Sequence, residues 1–170
     1  MTLVVVGIGE YAVSADPEAT LVTYALGSCI AVAIFDPVSR IGGLLHYMLP
    51  DSSLDQEKAI QRPGMFADTG IPLLFQKAYQ LGAVRSRIEV AVMGGAQVMD
   101  ASETFNIGKR NHLALRKIFW KAGILVRSED VGGTQSRTVR LELSNGRIVI
   151  RRGLTEQILE PSLVRKSLQQ

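Results

Sequence analysis

The stretch Cys29-Ile-Ala-Val-Ala-Ile-Phe-Asp-Pro-Val-Ser-Arg-Ile-Gly-Gly-Leu-Leu-His-Tyr47 decides how the chain folds. Two apolar runs, each of strand length, flank Asp36-Pro37-Val38-Ser39. Asp36 suits the first position of a turn, and the fixed φ of Pro37 suits the second. The stretch therefore reads as a β-hairpin. With a four-residue loop from Asp36 to Ser39, Phe35 faces Arg40 and the pairing sets Cys29 opposite His46.

That pairing carries chemical weight, because Cys29 is the only cysteine and His46 one of two histidines. Opposed residues share a sheet face with Cβ atoms ~4.5–5.5 Å apart, within reach for an imidazole to take a thiol proton. Gly27-Ser28 before the cysteine offers a bend whose backbone N–H groups can hold an oxyanion. Thr23, six residues upstream, offers a hydroxyl or carbonyl to orient the ring. The residues alone leave a second reading open: a lone cysteine in an apolar run also packs well as a core residue, and so does a hydrogen-bonded histidine.

Outward from the hairpin, Leu3 to Ile8, Ala19 to Ala25, Arg87 to Met93, Ile124 to Val131, Thr138 to Leu143 and Arg147 to Ile150 read as strands. Asn145-Gly146 signals a second hairpin between the last two. One helix is expected from a cap at Asp68 or Thr69 to Leu81, with Pro72 in its first turn, and another from about Asn106 to Ala122. His112 reads as a rim residue. Arg137, Arg140, Arg147, Arg151 and Arg152 read as solvated surface. The fold class is α/β, mixed and layered: mixed sheets flanked by two or three helices. Residues 1–153 are expected to form a single domain and residues 154–170 a peripheral tail.

Composition narrows the function. The 170 residues carry 19 Lys and Arg against 16 Asp and Glu, a formal charge of +3, too mild for a dedicated nucleic-acid binder. A single cysteine forms no internal disulfide, and no run reaches membrane length, so a soluble protein of the reduced cytoplasm is expected, with no direct membrane insertion. One Cys and two His without clustered spacing give a zinc site little support.

The runs Thr23-Tyr-Ala-Leu-Gly-Ser-Cys29 and Gly42-Gly-Leu-Leu-His-Tyr-Met-Leu-Pro50 resemble the signature of the chemoreceptor glutamine deamidases, the CheD family of bacterial and archaeal chemotaxis. The likeness continues through Phe66-Ala-Asp-Thr-Gly-Ile-Pro-Leu-Leu74, Gly94-Gly-Ala-Gln-Val-Met99, Ile107-Gly-Lys-Arg-Asn111 and Asp130-Val-Gly-Gly133. The resemblance implies a fold similar to toxin-type cysteine deamidases and a protein-glutamine glutaminase activity without metal or organic cofactor. It implies Cys29 as nucleophile, His46 as general base and acid, and Thr23 as the third member of a catalytic triad. Chemoreceptors are the implied substrate and a CheC-type chemotaxis phosphatase the implied second partner. The alternative is a non-catalytic adaptor that binds chemoreceptor or CheC-type phosphatase helices. One departure stands out: the family usually carries Gly-Arg where this chain has Ser136-Arg137, which puts the local turn in question.

Overall fold

In the computed structural model, residues 2–97 and 106–160 are described; Val98-Met99 of the glycine-rich motif and the end of the expected tail lie outside them. Ten strands form two five-stranded sheets. They are β1 (Thr2–Val5), β2 (Glu10–Ser14), β3 (Ala19–Leu26), β4 (Ile30–Asp36), β5 (Ile41–Tyr47), β6 (Glu89–Gly94), β7 (Ser128–Val131), β8 (Arg137–Glu142), β9 (Arg147–Arg152) and β10 (Thr155–Ile158). The orders are β1-β3-β8-β9-β10 and β2-β5-β4-β6-β7. Both sheets are mixed, since β1 runs parallel to β3 and β6 parallel to β7 while the other pairs are antiparallel. The described residues also form three α-helices: α1 (Gln56–Gln61), α2 (Ala67–Leu81) and α3 (Ile107–Ala122).

The hairpin strands β4 and β5 lie in the middle of three layers, which is why both are apolar throughout. Ile30, Val32 and Ile34 pack with Leu45, Tyr47, Val90 and Val92 against Ile71, Leu74 and Phe75 of α2 and Leu115 and Phe119 of α3. Cys29, Ala31, Ala33 and Phe35, with Leu44, face the other sheet and meet Leu21, Leu26, Val139, Leu141 and Ile150. Two glycines inside β5 follow from this double burial. A Cβ on Gly42 would collide with Leu143 of the opposite sheet, and one on Gly43 would come within 2.9 Å of Leu74 of α2.

The hairpin forms, but its register differs from the expected one. Asp36 pairs with Ile41 and Ala31 with His46, so the loop is Pro37–Arg40 rather than Asp36–Ser39. Two causes are visible. Arg40 takes a left-handed φ of 58° and closes the loop by donating to the Asp36 carbonyl at 2.8 Å. Asp36 stays in the strand because its buried carboxylate accepts bonds from the Val84 N–H at 2.9 Å, from Arg87, and from the N–H groups of Val38 and Ser39. Pairs shift by two positions, so Cys29 keeps the sheet face of His46 and becomes its diagonal neighbour instead of its direct opposite.

Burial alone would push the Asp36 carboxyl up, but Arg87 and those N–H groups outweigh it and hold the group well below the carboxylate range. Asp36→Asn keeps the shape, removes the charge and leaves Arg87 unpaired. It is expected to cost about 3 kcal/mol in urea unfolding at neutral pH. The loss should shrink in acid, where the unfolded chain takes up the proton first and the wild type forfeits the same stabilisation.

Other boundaries moved for local reasons. Helix α2 starts at Ala67 because Asp68 accepts from Ser52, and Thr69 donates to the Pro63 carbonyl, so neither side chain caps it. Pro72 therefore falls in the second turn, inside the helix, not in the first. Helix α3 begins as expected, with the Asn106 side chain accepting from the Lys109 N–H at 3.1 Å. The expected strand at Ile124 shortens to Ser128–Val131. β2, α1 and the edge strand β10 were not foreseen, and β10 pairs with β9 where the sequence suggested a tail. No helix among the described residues is long and apolar enough to cross a membrane.

Candidate active site

Thr23 lies on β3 of one sheet and His46 on β5 of the other, and both side chains point into the space between the sheets, fully buried. The Thr23 hydroxyl donates to the Val6 carbonyl at 2.6 Å and lies 2.7 Å from His46 Nδ1. A hydroxyl has one proton, and a carbonyl can only accept it. Nδ1 must therefore be the donor toward Thr23, which leaves Nε2 of the neutral ring as the bare, basic nitrogen. Nε2 is buried and has no hydrogen-bond partner among the described residues.

Between Thr23 and Cys29 the chain changes sheets. The β3–β8 ladder is interrupted between Thr23 and Leu26. Ala25 there adopts a left-handed φ of 53°, a conformation that costs a non-glycine residue roughly 1–2 kcal/mol. The Gly27-Ser28 bend follows, and β4 starts at Ile30. Cys29 sits at the end of the inter-sheet core, 9% exposed, on the face it shares with Ala31 and Leu44. By the observed register, its Cβ is a diagonal neighbour of His46, ~7–8 Å away on a regular ladder. No sulfur–imidazole hydrogen bond is present, in keeping with catalytic contacts that close only around substrate.

Burial dominates the electrostatics. It pushes the Cys29 thiol up to about 11, against the pull of its own backbone N–H, and the His46 imidazole down to about 4. The free site thus holds a neutral thiol and a neutral imidazole, where the sequence had suggested a thiolate favoured by the pairing. Such a pair works by proton transfer during attack, not by a preformed ion pair.

The rest of the wall was only partly legible. The Gly95 N–H donates to the Cys29 carbonyl and the Ala96 N–H to the Gly27 carbonyl, both at 2.9 Å. Gly94, at φ 106°, passes so near the Cys29 carbonyl that a Cβ would strike it. Asn111 of α3, named by the sequence only as the end of a motif, is fully buried, and its amide donates to the Ser28 carbonyl at 3.0 Å and the Met48 carbonyl at 2.8 Å. Arg137 is not solvated surface. It is 4% exposed, pairs in register with Leu26, donates to the Gly132 carbonyl at 2.7 Å and pairs with Asp130, which also binds Arg152. Loop 130–133 is thereby held beside Gly94, whose carbonyl accepts from the Gly132 N–H at 2.9 Å. Ser136 has no positive φ, so the turn before Arg137 does not demand glycine.

His112 is partly exposed and lies 3.8 Å from the Glu129 carboxylate. Among the described residues no three His, Cys, Asp or Glu side chains group closely enough to hold a metal ion.

Comparison with known proteins places this geometry in context. A family model described as CheD chemotactic sensory transduction matches residues 48–152. The probable chemoreceptor glutamine deamidase CheD of Solibacter usitatus is 51% identical over 166 residues, covering 98% of either chain. The probable chemoreceptor glutamine deamidase CheD 1 of Syntrophus aciditrophicus is 54% identical across 87% of this chain and 92% of its own. The chemoreceptor glutamine deamidase CheD of Thermotoga maritima is 40% identical across 87% of this chain and 90% of its own.

Proposed function

Because the chain belongs to the CheD family of chemotactic sensory transduction, we propose that it converts glutamine side chains of chemoreceptors to glutamate, with Cys29, His46 and Thr23 as its catalytic residues. The observation that carries the assignment of roles is the fixed ring of His46, whose Nδ1 is spent on Thr23 and whose Nε2 is free to act as a base.

The Cys29 sulfur attacks the carboxamide carbon while His46 Nε2 takes the thiol proton. Charge develops on the amide oxygen, and backbone N–H groups of the Gly27–Cys29 bend stabilise it. Collapse breaks the C–N bond; the imidazolium returns the proton to the departing nitrogen, and ammonia leaves. A thioester on Cys29 remains. Water, deprotonated by the same Nε2, attacks it, releasing the glutamate side chain and restoring the thiol. Thr23 holds the ring throughout and accepts a stronger hydrogen bond when the ring is cationic.

The activity belongs to one domain, which includes the edge strand β10, in the cytoplasm, where the receptors' signalling portions and a CheC-type phosphatase partner would meet it. Exposed Ile8 and Met48 support a protein substrate. Ile8 precedes Gly9, whose N–H donates to the His46 carbonyl at 2.7 Å, and Met48 lies two residues past His46, so both offer exposed apolar surface next to the arm of the base.

The test is ammonia release, together with a mass gain of about one dalton per modified glutamine, on a purified chemoreceptor cytoplasmic fragment. The neutral resting pair makes a further prediction. Only protonation of His46 removes the base, so kcat/KM should stay level from pH ~6 to ~9 and fall on the acid side toward the pKa of about 4. A fall on the alkaline side within that range, as an imidazolium lost its proton, would instead indicate a thiolate–imidazolium pair.

A further inference from the structure

Three successive carbonyls lead up to the sulfur, and each has a dedicated donor. Gly27 is held by the Ala96 N–H, Cys29 by the Gly95 N–H, and Ser28, between them, by the side chain of Asn111. The described residues contain no cis peptide bond. In a trans peptide the N–H points away from the C=O of the same plane, so fixing a carbonyl also fixes the direction of the next residue's N–H. The Ser28 carbonyl shares its plane with the Cys29 N–H, the amide group nearest the nucleophile. We propose that Asn111 is a positioning residue for deamidation: by holding the Ser28 carbonyl it aims the Cys29 N–H at the developing oxyanion.

Four observations point the same way. Asn111 has no exposed surface, and both hydrogens of its amide are used on carbonyls, so the side chain can sit in one orientation only. Its second acceptor, the Met48 carbonyl, lies two residues beyond His46, so one amide ties the arm of the nucleophile to the arm of the base. Tyr47 donates its hydroxyl to the Asn111 carbonyl at 2.6 Å, which pins this turn of α3 to the strand that carries His46. The Cys29 N–H is the backbone group that acts against burial on its own thiol. Simple packing would be met more cheaply by an apolar residue, as at Leu115 and Phe119 on the same helix face.

The inference rests on the assignment of Cys29 as nucleophile, and the experiment separates the two. Deamidation passes through an oxyanion, whereas alkylation of a thiol by iodoacetamide does not. Asn111→Ala is expected to lower kcat on a chemoreceptor fragment by about 30–100-fold, with KM and the rate of Cys29 alkylation each within about threefold of wild type. Leu115→Ala, which opens a cavity in the same helix interface, should keep kcat within about threefold despite lower stability. If Asn111→Ala does not fold, Asn111→Ser is measured the same way. A kcat within about threefold of wild type overturns the positioning role while leaving the Cys29 assignment intact. A parallel fall in alkylation overturns it too, because the whole site has then collapsed. Full deamidation by Cys29→Ala overturns the assignment on which the inference stands.

Discussion

Cys29→Ala is expected to reduce ammonia release from a chemoreceptor fragment by at least ~10⁴-fold, to the level of the fragment alone. Without the sulfur no thioester forms, and no other cysteine is present in the chain to substitute. The fold should survive. Cys29 makes no disulfide and packs among small and apolar neighbours, so losing one sulfur costs about 1 kcal/mol or less, read as a modest fall in the urea midpoint. Binding of the fragment should also persist, because the exposed rim at Ile8 and Met48 is untouched. That combination distinguishes an enzyme from an adaptor: an adaptor would lose nothing with the thiol.

His46→Gln is expected to lower kcat by about 10³-fold, since one group serves as base for the thiol, acid for ammonia and base for water. Glutamine can still donate to Thr23, so the link between the sheets is kept while Nε2 is lost. The same substitution has a signature in stability. The imidazole titrates near its ordinary 6.5 in the unfolded chain and at about 4 when buried. As pH falls from 6.5 toward 4 the unfolded state binds the proton and the folded state does not. Wild type therefore loses about 3 kcal/mol of stability across that window. In His46→Gln that slope should vanish, leaving the carboxylates, Asp36 among them, to govern unfolding at lower pH.

The hairpin was legible because Asp36-Pro37 is strong turn chemistry between two runs too apolar for any place but the middle layer. Its register was not, because the side chain of Asp36 serves Val84 and Arg87, 48 and 51 residues away, and no local pattern reveals that tie. The shared face of Cys29 and His46 survived only because the shift was even. Thr23 was offered by its position as a group to orient the ring and assigned to the triad through family resemblance, but the reason for its place, a hydrogen bond across two sheets, depends on a packing that spacing does not encode. Arg137 was misread for a related cause: among alternating arginines of β8 and β9, the one turned inward is fixed by the backbone carbonyls it meets. Asn111 sits in a basic helix segment whose exposed side is obvious from charge, while its inward amide has no signature beyond its type.

The most direct test is to acid-quench the wild-type enzyme early in its reaction with the chemoreceptor fragment and map the mass of the peptide bearing Cys29. A thioester adduct on that sulfur, equal to the substrate peptide less ammonia and absent from Cys29→Ser, is the result expected here. Deamidated product accumulating with no adduct on Cys29, and at the same rate with Cys29→Ala, would contradict it.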